Sequence, residues 1–185
     1  MEQLSVVRAL EECRDTRVAE ILGLRAKARL VVLDRIRLAA GAPLALDQVW
    51  LSAAIGRPLL AADFVHTAFY FELHHRCGVR PDRAEERIEP FLPEQEDAKM
   101  LGLGARQPVF AVERRTFLGG EPLEYRRTLI RGDRYNFVST WTAGTTAPPS
   151  GLWDERHDNP GPPADDSYVQ GEDHEATNRA PGAIA

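Results

Sequence analysis

Two cysteines, Cys13 and Cys77, are all the thiol the chain carries. They lack CxxC spacing, so a disulfide framework is not expected and both read as reduced, partly buried thiols. Long apolar runs are missing as well. A run such as Leu30 to Leu33 falls far short of the roughly 18 residues that cross a bilayer, and no basic stretch precedes an apolar one at Met1. The expectation is a cytoplasmic protein without a membrane partner. Excess positive charge is also lacking: 23 Lys and Arg against 28 Asp and Glu leave a net charge of −5, which argues against direct nucleic-acid binding by phosphate neutralisation. The chain has no P-loop, no GxGxxG after a strand, no GxSxG elbow and no HExxH helix. Those absences remove the commonest enzyme classes and leave no cofactor implied.

What is present amounts to one domain and a tail. A length of 185 residues suits a single core. From Ser139 onward Gly, Pro, Thr, Ser and Asp dominate without apolar periodicity, and Asp154, Glu155, Asp158, Asp165, Asp166, Glu172, Asp173 and Glu175 face only Arg156 and Arg179. Residues 1–138 read as the folded domain and 139–185 as a disordered acidic tail, anchored if at all by Trp141 and Trp153.

The body repeats itself. A shift of 79 positions lays Leu22-Gly23-Leu24 on Leu101-Gly102-Leu103, Asp34-Arg35 on Glu113-Arg114, Gly41 on Gly120 and Pro43-Leu44 on Pro122-Leu123. Two copies imply a pseudo-two-fold domain. Each copy reads as a strand (Val6 to Glu11; Arg87 to Phe91) and a short helix (Thr16 to Leu22; Glu94 to Leu101) closed by Gly23 or Gly102. Two strands follow in each (Leu30 to Leu38 and Leu44 to Leu51; Val109 to Phe117 and Leu123 to Arg131), joined by Gly/Pro-bearing loops of hairpin length. Between the copies Phe64, Val65, Ala68, Phe69 and Leu73 have helical spacing, which predicts a helix over 63–78. The class is α+β, a six-stranded mostly antiparallel sheet with helices packed on it.

Several side chains could carry chemistry, and each has a plainer reading. Arg35 and Arg37, two apart on a strand, leave the same face and form either an anion clamp or ordinary cross-strand and solvated charges. Asp47 and Glu124, on the outgoing strands of the two hairpins, suit acid/base work or hydrogen bonds to a ligand; equally, each could answer an arginine, since Arg126 and Arg127 adjoin Glu124. His66, His74, His75 and Cys77 fail metal-ligand spacing and read as surface residues, so no metal site is expected. Arg131-Gly132-Asp133-Arg134-Tyr135 reads as a structural turn ending the last strand, with Tyr135 at the sheet edge.

With these residues in hand, the body from about Ser5 to Phe137 resembles the UTRA effector domain of GntR-superfamily transcription regulators, HutC branch. The likeness rests on Ala19-Glu20-Ile21-Leu22-Gly23-Leu24, on Arg35-Ile36-Arg37-Leu38-Ala39 followed by Pro43-Leu44-Ala45-Leu46, and on Gly78-Val79-Arg80-Pro81. It continues from Glu113-Arg114 through Pro122-Leu123-Glu124-Tyr125 to Arg131-Gly132-Asp133-Arg134-Tyr135. The resemblance implies a chorismate-lyase-like fold and a homodimer that reports ligand occupancy to an attached winged helix-turn-helix domain. That domain would be the only route to DNA. In sugar-phosphate-sensing members, arginines matching Arg35 and Arg37 hold the phosphate, acids matching Asp47 and Glu124 meet the sugar, and Tyr70 matches a pocket tyrosine. Here Ala68 stands for a helix-starting serine and Ile130 for a pocket tyrosine. Two hydroxyl donors are thus missing, so the expectation is a small anionic metabolite without the sugar. Because Met1 stands almost on the first strand, the chain reads as a piece of a regulator or as a free-standing sensor. A vestigial dimerisation module and a chorismate-lyase-like enzyme are the other readings.

Overall fold

Alternation of apolar and polar residues over 30–52 and 109–131 builds two long hairpins, and these form the centre of a sheet. In the computed structural model, which describes residues 4–104, 106–139 and 151–153, β1 (Leu4–Cys13), β2 (Leu30–Ala39), β3 (Ala42–Ser52), β4 (Arg83–Phe91), β5 (Val109–Leu118) and β6 (Glu121–Arg131) form one sheet. Its order is β1-β2-β3-β6-β5-β4, with every neighbouring pair antiparallel. The helices are short: α1 (Thr16–Ile21), α2 (Ala53–Gly56), α3 (Phe69–Cys77) and α4 (Gln95–Met100), with a 3-10 turn at Arg57–Ala61. The α+β class is as the sequence implies.

The 79-residue repeat is a structural one. Shifted by 79, α1, β2 and β3 coincide with the bounds of α4, β5 and β6. Gly23 and Gly102 both close their helices at positive φ, 66° and 64°. Each hairpin turns on two residues with positive φ, Ala40 (49°) and Gly41 (77°) in the first, Gly119 (60°) and Gly120 (85°) in the second, the geometry a two-residue turn needs to match strand twist. Even the register shifts correspond, Arg37/Leu38 in one hairpin and Thr116/Phe117 in the other.

Strand alternation sends Leu30, Leu46 and Leu129 to one face and Val31, Leu33, Val49 and Leu51 to the other. On the first face Val18 and Leu22 of the α1 segment meet Leu30 and Tyr125, while Leu101 at the end of α4 meets Leu46 and Leu129. On the second, Phe69 and Leu73 of α3, with Leu59 and Phe64, cover Val31, Leu33, Val49 and Leu51. Each such fully buried side chain contributes about 1.5–3 kcal/mol.

Three elements differ from the sequence reading. The helix expected over 63–78 begins only at Phe69: Ala68 is extended (ψ 144°), and the Asp63 carboxylate accepts from the Val65 backbone N–H. That local turn competes with helix formation, although Phe64 still reaches the core. Within the stretch read as tail, Gly151–Trp153 (β8) pairs antiparallel with β7 (Phe137–Ser139); Trp141 and the acidic residues from Asp154 onward lie outside the described residues. Tyr135, read as a cap on the sheet edge, is buried in a cluster with Val112 and Ile130, beside Phe110 and Phe137.

Ala40 is the one turn position of the four without glycine, and its Cβ makes the left-handed conformation costly. Ala40→Gly is expected to raise stability by about 0.5–1 kcal/mol, and Gly120→Ala to lower it by about 1 kcal/mol. Thermal unfolding of the two variants checks both signs.

Candidate functional site

The face covered by α3 carries charge in its middle. Arg35 and Asp47 are cross-strand partners of β2 and β3, so their side chains leave the same face side by side. Arg35 Nε and Nη2 donate to Asp47 Oδ2 at 3.0 and 2.9 Å, and Thr128 Oγ1 donates to Oδ1 at 3.0 Å. On β6, Arg126 Nε donates to Glu124 Oε1 at 2.9 Å and lies 3.8 Å from Asp47 Oδ1. Glu124 Oε2 accepts from Tyr70 Oη at 2.8 Å and from Thr116 Oγ1 at 3.1 Å. Arg114 Nη1 donates to Tyr70 Oη at 3.3 Å, and its Nε bonds Glu86 on β4 at 2.5 Å. Asp47 and Glu124 have no solvent exposure, and Arg35 and Arg126 keep 4% and 8%.

The electrostatics follow from that burial. Burial alone would push the Asp47 carboxyl up, but the charges of Arg126, Arg35 and Arg37 overcome it and hold the group well below the usual carboxylate range. Burial likewise opposes the Arg126 charge, and Asp47 and Glu124 more than restore it, so its pKa is raised. Desolvation brings Arg37 down to about 10 in spite of Asp47; the guanidinium stays charged at neutral pH with less solvent than it would have in water. Burial and the neighbouring Glu124 push Tyr70 up to about 12, so its phenol remains a donor.

Four of the five residues singled out from sequence, Arg35, Asp47, Tyr70 and Glu124, thus belong to two hydrogen-bonded sets joined by the Arg126–Asp47 ion pair, and half-buried Arg37 shares their face. For Arg35 and Asp47 the cross-strand pairing is realised. Arg126 is the central residue that sequence reasoning left as a neighbour of Glu124. Its guanidinium lies 5.0 Å from the Phe69 ring centre and 5.1 Å from that of Tyr70, and its buried Nη2 has no hydrogen-bond partner among the described residues. A signal for it existed, because the 79-residue shift carries Arg35 to Arg114 and Asp47 to Arg126. At Ala68 no side chain caps α3, and Ile130 is fully enclosed beside Tyr135. His74 and His75 lie exposed on α3, and His66 pairs with Asp63.

Sheet order, helix placement and a buried charge cluster under α3 define an α+β architecture shared with effector domains of bacterial regulators. The crystal structure of the effector domain of PhnF from Mycobacterium smegmatis superposes with a TM-score of 0.70 at 27% identity, covering 76% of this chain and 88% of that one. The UTRA domain model matches residues 4–136, and the chain belongs to that family. Relatives include the HTH-type transcriptional repressor PhnF of Mycolicibacterium smegmatis (strain ATCC 700084 / mc(2)155), 32% identical over 72% of this chain and 54% of its own length. The HTH-type transcriptional repressor NagR of Bacillus subtilis (strain 168) is 29% identical over 65% of this chain and 50% of its own. The chain spans about half the length of these relatives.

Removing one partner from a buried ion pair leaves the other charge uncompensated. Asp47→Asn is therefore expected to cost about 3–5 kcal/mol, against less than about 1 kcal/mol for Arg87→Ala, whose side chain is 72% exposed. Because the folded pKa of Asp47 is depressed, its contribution is present above the unfolded value of about 3.9 and is lost as pH falls below it. Urea unfolding of wild type and Asp47→Asn from pH 6 to 2.5 checks both points: the gap between them should narrow on the acid side.

Proposed function

We propose that this chain is the small-molecule-sensing domain of a DNA-binding transcription regulator, working as a homodimer in the cytoplasm and reaching DNA only through an attached winged helix-turn-helix domain. The effector is a small anionic metabolite received on the α3 face of the sheet by Arg37 and Arg126, with Arg35, Asp47, Tyr70 and Glu124 framing the site. The observation that carries this reading is the buried Arg126 guanidinium with an unmatched Nη2, in a domain whose relatives are repressors. A desolvated donor of that kind favours an anion.

The coupling follows from the same bonds. Tyr70 ties α3 to β6 through Glu124, and Arg126 lies against the Phe69 and Tyr70 rings. An anion that draws Arg126 to itself weakens its hold on Glu124 and on the aromatic rings of α3. The helix then has two positions of different ligand affinity, which is what a population shift requires. Tyr70→Phe removes the tie and should change ligand affinity more than it changes stability.

A second reading, a dimerisation module with a vestigial pocket, is favoured by the apolar side chains at Ala68 and Ile130. Thermal shift of the full chain against a panel of anionic metabolites separates the two. A ligand at a hundredfold its Kd stabilises the native state by about 2.7 kcal/mol, a rise of several degrees. Sensing predicts a hit that Arg37→Ala abolishes while that variant still folds; Arg35→Ala is the poorer control because it breaks the Asp47 pair. A flat panel with folded protein favours the module.

A further inference from the structure

The two edges of the sheet are related by the repeat, yet they are treated differently. At β1 the pairing register shifts between Val7 and Ala9, and the Ser5 N–H donates to the Val65 carbonyl at 2.9 Å. A bulge and a covering segment are two of the ways proteins block a free edge. β4 has neither. It pairs with β5 without a register shift from Arg83 to Phe91, eight of its nine residues are exposed, and its outer edge has no strand partner among the described residues. Its proline, Pro90, falls outside the span Arg83 to Glu89, so every residue of that span keeps a backbone N–H.

The charges on that span alternate. Arg83, Glu85, Arg87 and Glu89 occupy one face, with Ala84, Glu86 and Ile88 on the other. The sheet already uses such alternation once: across β4 and β5, Glu85 is opposite Arg115 and Arg87 opposite Glu113, with Glu85 and Arg115 in contact at 2.9 Å. Reflected on itself the row has all four charges matched in one register, in which Glu86, already paired with Arg114, meets its own copy at the centre. Two copies set antiparallel about an axis through Glu86 place Arg83 opposite Glu89 and Glu85 opposite Arg87, twice over. Sliding by two residues either way sets Arg against Arg and Glu against Glu, and parallel in-register pairing does the same. Opposite charges directly across strands stabilise and like charges destabilise, so the antiparallel register about Glu86, which matches every charge of the row, is the favoured one.

We propose that the outer edge of β4 is a self-association surface, on which β4 of a second copy of this chain adds antiparallel with Glu86 at the two-fold axis. This joins two six-stranded sheets edge to edge and leaves the α3 face of each open to its ligand. The proposal rests on the dimeric part of the function proposed above and is tested without any ligand. Its charged contacts, Arg83, Glu85, Arg87 and Glu89, make no contact with the buried cluster or α3 among the described residues, whereas Glu86 at the axis pairs with Arg114.

Arg83 and Glu89 are the pair to test, since their β5 partners, Phe117 and Ala111, are uncharged. Sedimentation equilibrium of the full chain at low salt should show a dimer. Arg83→Glu alone sets Glu against Glu89, and Glu89→Arg alone sets Arg against Arg83; each should weaken the dimer by roughly tenfold in Kd, as two symmetry-related contacts turn repulsive. Mixing the two single variants restores both contacts in a heterodimer, and the double variant restores them in a homodimer. A dimer whose Kd ignores all four proteins would place the interface elsewhere and overturn the proposal while leaving dimeric sensing standing. A monomer at every concentration and salt would overturn both.

Discussion

A carboxylate fully withdrawn from water costs several kcal/mol unless its attraction to neighbouring cations and its hydrogen bonds make up the loss, and Asp47 sits at zero exposure in the middle of the sheet. Its compensation comes from the two strands that flank it. Arg35 arrives from β2 by cross-strand pairing, and Thr128 and Arg126 arrive from β6. The junction between β3 and β6 is where the two repeats meet, so the contacts of Asp47 with Arg126 and Thr128 cross the boundary between the halves. Slipping one hairpin by one residue against the other would turn Asp47 away from Thr128 and Arg126. The cluster therefore acts as a register lock as well as a site.

The same cluster explains why one face is suited to sensing. Apolar contacts lie on both sides of it, Leu33, Val49 and Phe69 towards α3 and Ala45, Val112 and Ile130 towards Tyr135. Between them the polar groups are nearly all answered by one another, and Arg126 keeps one donor in reserve. Such a network is rigid when complete and sensitive to one added charge, because each member's pKa and geometry depend on the others. On the opposite face, Trp50 stacks on Tyr125 at 5.7 Å, and the residues matching them in the other repeat, Leu129 and Leu46, pack with Leu101. That face also carries polar contacts, among them Gln48 Nε2 donating to Asp34 Oδ2 at 3.1 Å.

Most of the sheet was legible in the sequence because strand alternation, hairpin glycines and the 79-residue shift all point to the same pairing. Agreement between independent local signals is what makes a fold readable. The stretch over 63–78 misled for a definite reason: Phe64, Phe69 and Leu73 have helical spacing and are all buried, but the Asp63 turn places Phe64 in the core by another route. Strand β8 carried no apolar period to announce it. In the site, same-face logic located Arg35 and Arg37, whereas Arg126 is defined by contacts across the β3–β6 junction, which periodicity within one strand cannot reveal.

The repeat also shows what asymmetry contributes. In a strictly symmetric sheet the residue matching Asp47, at position 126, would be a second aspartate. The diagonal contact now made by Arg126 at 3.8 Å would set two buried carboxylates together, and one would have to hold its proton. Arginine at 126 turns that repulsion into attraction and lies against both carboxylates, which have no exposure. Threonines at 116 and 128, where the first repeat has Arg37 and Val49, supply the hydroxyl donors that complete the two carboxylates. The fold keeps its two-fold backbone while the side chains around the axis diverge into complementary sets.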